Sequence, residues 1–102
     1  MKIGFSEKAI SDLESISSYI GNSLYNQKAA NGIAAGLLTE IKKLGESPFI
    51  GSPVVFKNSN VNSIRVIRYG NYGAFYRVVG DMVQVDRILY LKSDFQRVLE
   101  DV

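Results

Sequence analysis

The segment Tyr72-Gly-Ala-Phe-Tyr-Arg-Val-Val-Gly-Asp-Met-Val-Gln-Val-Asp-Arg-Ile-Leu-Tyr-Leu91 holds two runs rich in branched and aromatic residues, divided by Gly80-Asp81. Such runs suit pleated strands, and two residues of these types between them are the length and chemistry of a tight hairpin turn. We therefore read antiparallel strands over Tyr72–Val79 and Met82–Leu91. Period two puts Tyr72, Ala74, Tyr76 and Val78 on one face, where buried tyrosines with bonded hydroxyls explain the pattern more simply than catalytic ones. Upstream, Ser63 to Tyr69 has the same character and is joined to Tyr72 by Gly70-Asn71. The three strands form an antiparallel meander. In the first of them Arg65, Ile67 and Tyr69 share one face and Ile64, Val66 and Arg68 the other, so Arg65 and Arg68 cannot both enter one site without a bulge.

Before the turn-rich segment Pro48 to Pro53 the periodicity is helical. Ala30, Ile33, Leu37, Ile41 and Leu44 recur at intervals of three or four up to Gly45, with Asn26 as a cap, which predicts one helix. Ile10, Leu13, Ile16, Ile20 and Leu24 describe the apolar face of an earlier one, capped by Ser6 and weakened at Gly21-Asn22, with Lys8, Asp12, Glu14, Ser15 and Ser18 opposite. The short connection makes the helices antiparallel neighbours, and Ala29, Gly32, Ala35 and Gly36 allow the second to approach its neighbour closely. Lys2 to Phe5 reads as a short strand. Asp94 caps a final helix from Phe95 to Asp101, whose Val98 and Leu99 pack back on the sheet. The fold class is α+β: a short N-terminal strand, a two-helix antiparallel hairpin packed on an antiparallel sheet, and a short C-terminal helix.

At 102 residues and 46% hydrophobic, the chain can bury one core, whereas two domains would each be too small. A single domain, 1–102, is expected. There is no cysteine and no histidine, which removes disulfides, thiolate nucleophiles and thiolate zinc sites, the commonest metal ligand, and the only side chain titrating unperturbed near neutrality. Neither a metal nor a cofactor is expected. No run approaches the ~20 apolar residues of a membrane span, and the first residues lack the apolar core of a signal peptide, so the expectation is a cytoplasmic protein with no membrane partner.

Charge separates along the chain. Residues 1–56 balance five lysines against five acids, but Lys57 to Arg97 holds seven bases against three acids, including all five arginines. That excess suits recognition of phosphate or an acidic protein. Exposed strands also carry Arg and Lys for solubility and to protect sheet edges, and composition leaves both readings open. Cleavage of RNA through its 2′-hydroxyl needs a base, an acid and a cation beside the phosphorane, roles that Lys, Arg and Tyr can fill without metal or histidine, given shifted pKa values.

Several short motifs occur in order: Phe5-Ser-Glu-Lys-Ala9, Ile50-Gly-Ser-Pro53, Ile64-Arg65, Tyr72-Gly-Ala-Phe-Tyr-Arg-Val78 with Gly80-Asp81, then Arg87-Ile-Leu-Tyr90 and Asp94. This series, spanning the whole chain, resembles the RelE/ParE superfamily of toxins from type II toxin–antitoxin modules. The resemblance implies two N-terminal helices on an antiparallel sheet, and a cognate antitoxin that covers the functional surface. It also implies growth inhibition, a role in plasmid stabilisation, and one of two targets. RelE-like members cut messenger RNA in the ribosomal A site with basic residues and a tyrosine, whereas ParE-like members inhibit DNA gyrase. Aligned on Phe75-Tyr76, the chain has Gly73 where RelE-like nucleases carry a catalytic arginine and Leu99 near the place of their C-terminal tyrosine. The long helical hairpin and the run from Phe75 to Asp81 look like the ParE branch, although Tyr90 replaces a frequent histidine and Ser93 a frequent arginine there. The resemblance thus implies a gyrase inhibitor, with a metal-independent mRNA endoribonuclease as the alternative. Target-binding candidates are Arg65, Arg68, Arg77, Arg87, Tyr90 and Lys92, and a nuclease would draw on Arg65, Arg68, Tyr72 and Lys92.

Overall fold

Residues 1–18, 27–54 and 64–99 are described by the structure, a computed structural model. The elements are β1 (Lys2–Phe5), α1 (Glu7–Ser18), α2 (Gln27–Lys42) continued by a 3-10 turn at Lys43–Gly45, β2 (Ser52–Pro53), β3 (Arg65–Tyr69), β4 (Tyr72–Val79), β5 (Met82–Tyr90) and α3 (Phe95–Leu99). Ile20, Gly21-Asn22, Leu24, the Asn26 cap, Ser63, Lys57 and the end of the last helix at Asp101 lie outside the described residues.

The five strands form one sheet in the order β1-β5-β4-β3-β2. The meander β3-β4-β5 is antiparallel as expected, its two tight turns led by Gly70 and Gly80 with φ of +59° and +61°, a region open to glycine without steric cost. Two features were not legible. β1 pairs parallel to β5, and Ser52–Pro53, read only as turn, forms a two-residue edge strand against Val66 and Arg65.

Side-chain alternation gives each face of the sheet its own core. The helix-side core gathers Leu37, Ile41 and Leu44 of α2 and its turn with Ile67, Tyr76, Val83, Val85 and Ile88. On the opposite face Ile64, Val66 and Phe75 pack with Leu99, supported by Phe95 and Leu91. Phe75 and Phe95 stand 5.3 Å apart between ring centroids, a spacing suited to an attractive aromatic pair.

α1 lies rotated from the expected face. Ala9 is fully buried with Leu13 and Ile16 beside it, whereas Ile10 is 48% exposed and Asp12, assigned to the solvent side, is largely covered. Ser6 explains the rotation. Its Oγ accepts a hydrogen bond from the Ala9 N–H at 3.0 Å and donates to the Asp86 carbonyl at 2.7 Å, so the cap is tied to β5 as well as to the helix. The helix then presents positions 9, 12, 13 and 16, one continuous stripe. Of the small residues in α2, Gly36 serves the sheet, since a Cβ there would fall within the Tyr69 ring of β3, while one on Gly32 would meet no described atom within 4 Å.

Candidate functional site

The strand bases divide into those already bonded within the fold and those left open. Arg65 donates from Nη1 to the carbonyls of Phe49 at 3.1 Å and Gly51 at 2.7 Å, and its guanidinium lies 5.2 Å from the Phe49 ring centroid. The Gly51 N–H in turn donates to the Tyr76 hydroxyl at 3.0 Å in a buried setting. Burial raises the Tyr76 pKa above its ordinary value, only partly offset by that hydrogen bond and by the nearby Arg65 charge. Arg65 and Tyr76 therefore clamp the 49–51 segment onto the sheet.

Arg77 and Arg87 each make a bidentate ion pair. Arg77 donates to both oxygens of buried Asp86 at 2.6 and 2.9 Å, and Arg87 to both oxygens of Asp12 at 2.7 and 2.8 Å. These hydrogen bonds raise both guanidinium pKa values, against the smaller opposing effect of burial. Asp86 is the extra residue of a β-bulge, since Phe75 pairs with Arg87 and Tyr76 with Val85. Asp12 also accepts from the Ile88 N–H at 2.9 Å, on the part of β5 beyond its pairing with β1.

Among the described residues, the side chains of Arg68, Lys92 and Arg97 form no hydrogen bond or ion pair. Arg68 is exposed and lies on the face opposite Arg65, as alternation required. It edges a groove of about 250 Å³ whose floor is Val66 and Phe75. Pro53, Val54, Leu91, Phe95 and the exposed Gln96 complete its lining. Tyr90 and Tyr72 pair at 5.4 Å between centroids at the other end of the strands from Arg77 and are the directly opposed residues of β5 and β4. The fold thus brings Arg68 to a groove edge, leaves Lys92 next in sequence to a lining residue, and holds Arg65, Arg77 and Arg87 in separate internal contacts.

Gly73 and Leu99, where the sequence departs from the RelE-like pattern, lie against the apolar cluster beneath the groove rather than in its lining. A Cβ on buried Gly73 would lie 2.8 Å from Val66 Cγ2 and 2.9 Å from Leu91 Cδ2, both tighter than ordinary contact. Leu99 is fully buried in the same apolar cluster. The groove itself was not apparent in the sequence, because Pro53 read as turn and Phe95 only as the start of the last helix; their convergence depends on the β2–β3 pairing.

The sequence matches the family described as the ParE toxin of the type II toxin–antitoxin system, parDE, over residues 3–95. The chain belongs to the ParE toxin family. It has the RelE/ParE fold, and its structure superposes on the chromosomal ParDE toxin–antitoxin system from P. aeruginosa with a TM-score of 0.73 at 20% identity, covering 90% of this chain and 97% of that one. The RelBE2 toxin–antitoxin complex from Mycobacterium tuberculosis is a more distant likeness, with a TM-score of 0.53 at 20% identity over 87% and 95% of the two chains. No curated protein matches the sequence. As a ParE-family member, the chain is a toxin of the type II class. No helix among the described residues is long and apolar enough to cross a membrane.

Proposed function

We propose that this ParE-family toxin, acting as one domain over 1–102, arrests bacterial growth in the cytoplasm by binding and inhibiting DNA gyrase, and is neutralised by a cognate antitoxin. The observation that carries the reading is the packing around Gly73. Catalysis of RNA cleavage calls for preorganised cations at the phosphorane, and the position of the family's nuclease arginine here has no side chain, with the methyls of Val66 and Leu91 packed within 3 Å of where its Cβ would lie. With Leu99 buried near the place of the nuclease tyrosine, two of the groups that would stabilise charge and move protons are absent. A toxin so built acts through its surface.

The second reading, a metal-independent mRNA endoribonuclease, is favoured by one observation: Arg68, unpaired among the described residues, stands at the groove edge, with Lys92 one residue from a lining position. Induced expression without antitoxin separates the two. Growth arrest with intact transcripts and double-strand DNA breaks is expected. New transcript 5′ ends within translated codons, lost on replacing Arg68 and Lys92, would replace the gyrase reading with the nuclease one.

A further inference from the structure

We infer that the tip Phe49-Ile50, held beside Arg65, is the anchor by which this toxin engages its target, and that it enters an apolar pocket rimmed by carboxylate on folded DNA gyrase. The inference rests on the gyrase reading above and gives that contact a place and a chemistry.

Rigidity sets the tip apart. Phe49 is 61% and Ile50 53% exposed, the highest values for large apolar side chains among the described residues, and neither joins a core cluster. Single exposed apolar residues need no explanation, but this adjacent pair stands on a fixed backbone. The Ile50 N–H donates to the Ser47 carbonyl at 3.3 Å, closing a four-residue turn with Pro48 at its second position, where the ring's fixed φ suits the turn. Arg65 donates to the carbonyls of Phe49 and Gly51, and the Gly51 N–H donates to the Tyr76 hydroxyl. Gly51 is buried so tightly that a Cβ there would lie 2.8 Å from the Val66 carbonyl oxygen. The fold thus holds in one shape two side chains that its own cores do not use. Preorganisation of this kind removes the ordering cost that a mobile loop incurs on binding.

Charge and shape select the occupant. Asp86 and Asp12 neutralise Arg77 and Arg87, whereas Arg65 meets only carbonyls and the Phe49 ring, so its positive charge stays uncompensated beside the tip. Both of its hydrogen bonds come from Nη1, which leaves Nε and Nη2 open, among the described residues, to a carboxylate. An aromatic ring beside an arginine is the composition of a binding hot spot. Nucleic acid is a poor match, because Ile50 has no face for a base and Arg65 is a lone cation here, with Arg68 on the opposite face of β3. Two copies meeting tip to tip would bring like charges together. A rigid, outstanding tip calls for a concave receptor, which a folded enzyme offers and an extended wrapping segment does not.

The test titrates full-length chains into a DNA gyrase supercoiling reaction. For Phe49→Ser combined with Ile50→Ser, the half-inhibitory concentration should rise by about 30-fold, as on loss of a hot-spot contact, with an unchanged thermal midpoint. Phe49→Leu combined with Ile50→Val keeps the tip apolar and should retain inhibition. A photo-crosslinking residue at Ile50 of the otherwise unaltered chain should capture gyrase, a readout independent of how the serine variant folds. Equal inhibition by wild type and the serine variant, or no gyrase crosslink at Ile50, would overturn the tip assignment and leave the gyrase reading intact. No inhibition by the wild-type chain would overturn both. Capture at Ile50 of the adjacent gene's product, of a second copy of this chain or of RNA in place of gyrase would overturn the inference in favour of that occupant.

Discussion

Replacing Asp12 by alanine tests how α1 is fastened to the sheet. The carboxylate accepts three hydrogen bonds, two from Arg87 and one from the Ile88 N–H, with side-chain exposures of 14% for Asp12 and 18% for Arg87. Removing one partner of a fully buried pair costs about 3–5 kcal/mol, and the residual access of water to Arg87 lowers this case to about 2.5 kcal/mol. Leaving the Ile88 N–H without a partner adds about 1 kcal/mol, and alanine's better helix propensity returns roughly half of that. The net loss is about 3 kcal/mol, a large part of the ~5–15 kcal/mol typical of a domain. At about 4–8 °C per kcal/mol for a chain near this size, the thermal midpoint should fall by about 12–24 °C. Asp12→Asn keeps an acceptor for Ile88 and should lose about half as much. Asp12→Ala combined with Arg87→Met should recover most of the loss, because no uncompensated charge remains. Urea melts of the four proteins at constant m-value measure these quantities. A loss below about 1 kcal/mol in Asp12→Ala would show that the pair does not fasten α1.

Tyr76 predicts a pH dependence. Its folded-state pKa lies above the unfolded value of about 10, so the stability it contributes is fully present below pH 10 and declines as pH rises toward the folded-state value. Thermal midpoints from pH 9 upward should fall less steeply in Tyr76→Phe than in wild type; parallel curves would count against a buried, neutral phenol. Below pH 9 the same variant should be less stable by about 1–2 kcal/mol, because the Gly51 N–H loses its acceptor. Ser6→Ala should cost about 1–2 kcal/mol by calorimetry through loss of the α1 cap, and a change within error would remove Ser6 from the account of the helix's rotation. Gly73→Arg should cost about 2 kcal/mol from overpacking against Val66 and Leu91 and should confer no transcript cleavage; gained cleavage would show that the groove can still host nuclease chemistry.

What was legible in the sequence was mostly local. Period two and the Gly80-Asp81 turn defined the β4–β5 hairpin, and the spacing of Leu37, Ile41 and Leu44 defined the buried face of α2. Ser6 was recognisable as a cap because capping chemistry spans only three residues. Long-range pairings were not legible. Nothing near Lys2 specifies a parallel partner 80 residues away, and Ser52–Pro53 becomes a strand only because β3 offers an edge. The same limit applies to the arginines. Alternation separated Arg65 from Arg68, but the ion pair between Asp12 and Arg87 spans 75 residues, and the Asp86 bulge that serves Arg77 has no local signature. A basic half-chain therefore resolves into two internal ion pairs, one loop clamp and a few open cations.

Toxicity through binding is tested most directly by titrating the purified chain into a DNA gyrase supercoiling reaction, with the adjacent gene's product as the antidote. Dose-dependent loss of supercoiling or accumulation of cleaved DNA, reversed by that product, is the expected result. Undiminished supercoiling at a large molar excess of folded toxin would contradict it.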